Sequence, residues 1–106
     1  MLDYSEEMLP GYNIPYDYTS ASMASLYYSL GTDEDKAKAN DIMTKVADNC
    51  VEYLRWGDSL DKKQRRAVQS VLGHHQAVLG YVLQNMERYG QRELLDKYYP
   101  IYRQYN

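Results

Sequence analysis

The chain has 106 residues, which is enough for one domain with its own core. Its 44% hydrophobic and 25% charged residues exclude a disordered composition, and its net charge of −3 excludes the basic footprint of a nucleic-acid binder. Cys50 is the only cysteine, so no internal disulfide can form, and no run reaches the ~20 apolar residues of a membrane span.

In chain order, Leu2–Leu9 reads as the tail of a short helix, ended by Pro10-Gly11. A chain that opens inside an element is expected to be a piece of a longer protein. Tyr12–Tyr18 reads as an extended linker, because Pro15 disfavours helical geometry at Ile14. A first long helix is predicted from about Asp17–Ser20 to Leu30, with Met23, Leu26, Tyr27 and Leu30 on one inward stripe and Gly31 as its left-handed cap. A second begins after Thr32, whose spacing to Asp35 approximates a capping box. Its stripe is Ala39, Ile42, Met43, Val46, Cys50, Tyr53 and Leu54, and Gly57 is expected to end it.

The third predicted helix runs from about Asp61 to Tyr89, with Val68, Val71, Leu72, His75, Val78, Leu79, Val82, Met86 and Tyr89 inward. Gly73 and Gly80 share one of its faces, and close approach of a neighbouring helix is the expected reason for both. Gly90 ends it. The fourth helix, from about Gln91 to Tyr105, turns Leu94, Leu95, Tyr98, Ile101, Tyr102 and Tyr105 inward, and Pro100 should kink or split it near Tyr99. No period-two run suggests a strand. The composition of 13 Tyr and no Phe suits a thin, two-layer helical assembly, since Tyr packs like Phe but keeps a polar tip.

Sites are sparse. His74 and His75 are the only histidines, and neighbours on a helix point about 100° apart, so a shared metal is disfavoured. His75 reads as a partly buried helix contact and His74 as a hydrogen-bonding residue between helices. Asp33-Glu34-Asp35 reads as charge compensation at a helix start, and Lys62-Lys63-Gln64-Arg65-Arg66 as a solvated helix start. No phosphate-binding loop, nucleophile elbow or catalytic triad is present, so no catalytic residue, cofactor or metal is assigned. The best candidates for an interaction surface are Tyr12, Asn13, Tyr16, Asp17 and Tyr18 of the linker, with His74. Stacking and hydrogen bonding to a sugar or peptide are within their chemistry, but tyrosines that plug the groove between helix pairs are the commoner use.

Two resemblances add to this reading. Met23-Ala24, Tyr27, Gly31, Ala39 and Met43 resemble the pattern of a tetratricopeptide (TPR) unit, with three extra residues in the turn and Ser20 at the Trp position. The last two helices repeat the pattern around Gly90, with Leu95 where a small residue is usual. This implies an all-α fold of antiparallel helical hairpins in a TPR-like right-handed superhelix, with about four main helices plus the short N-terminal one. More specifically, Met8–Ser20, Val46-Ala47-Asp48-Asn49, Val51-Glu52-Tyr53-Leu54 and Tyr98-Tyr99-Pro100-Ile101-Tyr102 resemble the C-terminal soluble domain, of unknown function, of large bacterial multi-span membrane proteins. The membrane regions of those proteins are similar to GT-C glycosyltransferases and protein O-mannosyltransferases. The resemblance implies a non-catalytic accessory or protein-interaction domain on the periplasmic side of the inner membrane. Its implied partners are the membrane region of its own parent chain and acceptor protein, with no nucleic acid. A TPR-type adaptor for a peptide or protein is the alternative, and a small free-standing enzyme the least favoured.

Overall fold

A computed structural model describes Leu9 and residues 15–105. The predicted N-terminal helix, Leu9 apart, and the linker residues Tyr12 and Asn13 lie outside these. The described chain is all-α: α1 (Tyr18–Leu30), α2 (Asp33–Asp58), α3 (Lys62–Ala67), α4 (Gln69–Arg88) and α5 (Arg92–Tyr105). None of these helices is long and apolar enough to cross a membrane.

Local chemistry explains the ends. The Asp17 carboxylate accepts from Thr19 N at 2.8 Å and starts α1, and Gly31, at φ 85°, closes it. Thr32 Oγ1 accepts from Asp35 N at 3.0 Å at the start of α2. Asp61 and Gln64 form a reciprocal capping box on α3, with bonds of 2.7 and 3.0 Å. At the end of α4, Gln91 N donates to Met86 O and Gly90 N to Glu87 O around Gly90 at φ 69°, the paired bonds of a Schellman turn.

The two-residue link between α1 and α2, and the short one between α4 and α5, fold each pair into an antiparallel hairpin. Like helices then run parallel across the hairpins. Asn85 donates to Ala21 O, Tyr28 stacks on Tyr89, Tyr98 donates to Asp48 and Tyr105 to Asp58, so α1 follows α4 and α2 follows α5. The Cα envelope is only 15 Å in its thinnest direction. The core lies between the hairpins, built from Ile42, Met43, Val46 and Cys50 of α2 and Val78, Leu79, Val82 and Met86 of α4, with Leu9 and Tyr98. Burying each large aliphatic side chain contributes about 1.5–3 kcal/mol.

Several boundaries and faces differ from those predicted. The third predicted helix is two, interrupted at Val68 (φ −111°, ψ 18°). The α3 residues have no buried face, so packing does not hold them in line with α4. Instead Arg65 reaches back to Gly57 O and Asp58, both at 3.0 Å, and ties α3 to the carbonyl end of α2, where a cation is favoured. Gly57 does not end α2, which runs to Asp58. Its missing side chain is what Leu72 fills, since a Cβ there would meet Leu72 Cδ1 at 2.8 Å.

On α1 the expected stripe is only partly inward: Leu26 and Leu30 are 57% and 59% exposed, and Ala21 and Ala24 are buried instead. The helix meets both α2 and α4, and its small residues let the two neighbours approach together. Gly80 is closely approached, by Tyr102, but Gly73 is exposed, with no described residue within 4 Å of where a Cβ would stand. Pro100 does not split α5, which continues to Tyr105. The hydrogen bond it cannot donate would go to the carbonyl of Asp96, and both residues are on the exposed side.

Candidate functional site

Two surfaces flank α4, and they differ in how their side chains are engaged. The first is the seam between α1 and α4, where the described members of the predicted interaction surface fall. Tyr16 is half-buried against the core, Asp17 is consumed in capping α1, and Tyr18 meets His74 and Tyr81 edge-on at 5.9 and 5.5 Å between ring centres. The rings continue inward: His74 lies 5.4 Å from His75, which stacks flat on Tyr53 at 4.0 Å, and Tyr53 meets Trp56 edge-on at 6.2 Å. Further along the seam, Ser22 Oγ and Tyr81 Oη are 3.4 Å apart, and Tyr28 donates to Tyr89 O at 3.0 Å. Asn85, buried, spans the two helices to Ala21 O. The seam is therefore filled by the protein's own rings, and the structure brings Tyr16, Asp17, Tyr18 and His74 to one end of it.

Burial controls the titration of the inner groups. His75 is held down at about 4, first by burial and then by the neighbouring charge of His74. The Cys50 thiol is pushed up to about 12 by burial, so it is not a nucleophile at neutral pH. The Tyr98 hydroxyl is raised by burial and by its bond to the Asp48 carboxylate, and Tyr105 is raised by burial and by Asp58. These two tyrosines fasten α5 to α2. Among the described residues no group of three or more His, Cys, Asp and Glu could hold a metal ion.

The second surface is a groove of about 450 Å³ between α4 and α5, lined by Gly80, Leu83, Gln84 and Glu87 and by Arg92, Leu95, Asp96, Tyr99 and Tyr102. This volume is within the ~300–1,000 Å³ of ordinary ligand pockets. Gly80 and Gln84 lie on the side of α4 turned away from the core residues Val82 and Met86. The ring of Tyr102 occupies the space that Gly80 leaves, its hydroxyl 3.0 Å from where a Cβ would stand. Tyr99 is 48% exposed. The hydrogen bonds and ion pairs among the described side chains involve none of Gln84, Glu87, Arg92, Asp96, Tyr99 and Tyr102. Donors, acceptors and the exposed ring of Tyr99 thus share one cleft without a hydrogen bond or ion pair among the described residues, while the Tyr102 ring packs against the core. Two smaller clefts are less equipped: one of about 420 Å³ at the α4–α5 turn beside Asn40, and one of about 230 Å³ at the Gly57–Leu72 corner, where Arg65 and Tyr105 already bond to Asp58.

Sequence reasoning assigned no groove residue to a site. The available signals were a glycine inside a helix and the spacing Asp96, Tyr99, Tyr102, which sets a carboxylate and two rings along one side of α5. Comparison of the chain with protein-family models, with curated proteins and with solved structures gives no match in any of the three.

Proposed function

We propose that the chain is a non-catalytic interaction domain, the C-terminal accessory part of a membrane glycosyltransferase of the protein O-mannosyltransferase-like kind. In this reading it lies on the periplasmic side of the inner membrane, packs on the membrane region of its own parent and presents acceptor protein. The chemistry belongs to the membrane region. The observation that supports the binding role is the α4–α5 groove, whose polar side chains make no hydrogen bond or ion pair among the described residues. The glycosyltransferase setting is supported by the sequence resemblance of Met8–Ser20 and Tyr98–Tyr102.

A photo-crosslinking residue at Gln84, in the intact parent, tests this. Crosslinks to the membrane region or to acceptor protein are expected from Gln84, and none from the exposed Ala37 on α2. Equal labelling from both positions, or none from Gln84, would sink the proposal.

The parallel stacking of like helices also supports the second reading, a TPR-type adaptor. Such an adaptor would use the surface of its first helices, here α1 and α4. At one end of that surface Tyr18, His74 and Tyr81 pack on one another, and Leu26 and Leu30 of α1 stand exposed further along it.

A further inference from the structure

We infer that the α4–α5 groove binds a neutral saccharide, with Tyr99 as the stacking ring and Gln84, Glu87, Arg92 and Asp96 as hydrogen-bonding partners of the hydroxyls. The inference rests on the reading of this groove as the binding surface and names the ligand class it takes. A phosphate or carboxylate ligand would gain from Arg92 but would face the carboxylates of Glu87 and Asp96. A cation would gain from the carboxylates but would face Arg92, and no third acidic or imidazole ligand completes a metal site among the described residues.

A purely apolar ligand would strip water from four polar side chains and return no hydrogen bond to any of them. A neutral polyol meets all the conditions. Its hydroxyls both donate and accept, so they satisfy carboxylates, a guanidinium and an amide together. The C–H face of a sugar ring is apolar and flat enough to lie on a tyrosine, and Tyr99 offers a half-exposed ring. Tyr102 forms the floor, its hydroxyl held near Gly80, where it too can reach a ligand. Because these polar groups make no hydrogen bond or ion pair among the described residues, the ligand breaks none of the described protein hydrogen bonds on entering.

The test is amide-detected NMR of the full chain, titrated with maltose, cellobiose and lactose, with inorganic phosphate and n-butylamine as charged controls. Saturable shifts at Gly80, Gln84, Asp96 and Tyr99 with at least one disaccharide are expected. Tyr99→Ala should weaken binding by about tenfold, the scale of one lost ring contact, while Tyr99→Phe stays within about threefold. Circular dichroism checks the fold, and if Tyr99→Ala melts early, Asp96→Asn takes its place, with affinity again reduced. Three results would overturn the inference: no disaccharide perturbs the groove, a charged control does so where the sugars do not, or sugar shifts survive unchanged in the variant. If the sugars fail while crosslinks from Gln84 to protein persist, only the ligand class is wrong and the interaction role stands.

Discussion

The α1–α4 seam and the α4–α5 groove are built from the same helix and the same favoured residue, yet their tyrosines behave differently. In the seam, Tyr18 and Tyr81 meet edge-on, and Tyr28 stacks on Tyr89 at 4.3 Å while giving its hydroxyl to a carbonyl. For Tyr28 both the ring and the polar tip are satisfied within the protein, whereas Tyr18 is held by its ring contacts, and each such ring pair is worth about 0.5–1.5 kcal/mol beyond its buried area. In the groove, Tyr99 and Tyr102 make no such ring pairs or hydrogen bonds among the described residues. A tyrosine with a partner for both ends is a packing residue, and one without is open to a ligand. Tyrosine content alone cannot tell these apart, because the distinction lies in the neighbours.

Both surfaces depend on α4. Leu79→Ala or Val82→Ala, both fully buried, should lower stability by about 2–4 kcal/mol in chemical denaturation. A loss below about half a kcal/mol would mean that α4 is not the shared spine of the two surfaces.

The seam's inner end is sharpened by acid. His75 titrates at about 4 when folded and near 6.5 when unfolded, so the unfolded chain binds the proton more tightly. The His75 contribution is therefore complete above pH 6.5 and is lost as pH falls toward 4, by on the order of 2–3 kcal/mol. His75→Phe keeps a ring on Tyr53 and cannot titrate, so its stability between pH 6.5 and 4.5 should be flatter than that of the parent chain. Identical slopes would show that other groups set the acid sensitivity.

The smallest effect separates the two glycines of α4. Gly73→Ala meets open space and should stabilise by about 1 kcal/mol in thermal melts. Gly80→Ala gains the same helix propensity but displaces the Tyr102 ring, so its net change should be near zero, and it should alter the groove. Equal stabilisation by both would show that Tyr102 is not held against Gly80.

The helices were readable because their apolar spacing and caps agree. The whole α2 stripe from Ala39 to Leu54 is buried as the period demands, and Asp61 with Gln64 marks the start of α3. What the sequence hid depends on contacts between elements. The exposure of Leu26 and Leu30 follows from α1 touching two neighbours through its alanines, which no single-helix pattern encodes. The interruption at Val68 follows from Arg65 finding the end of α2. The groove was invisible for a related reason: its residues come from two helices and are marked by what they do not contact.

Tyr98 and Tyr105 stand two turns apart on α5, and each gives its hydroxyl to a carboxylate of α2, at Asp48 and Asp58. Such a pair indexes the rotational phase of the helix: turning α5 about its axis by one residue would break both bonds together. The outer wall of the groove is thereby clocked against α2 as well as against its hairpin partner α4, on which Tyr102 packs at Gly80. At Asp58 this index shares its carboxylate with Arg65, so the phase of α5 and the α3 corner are set by one side chain of α2.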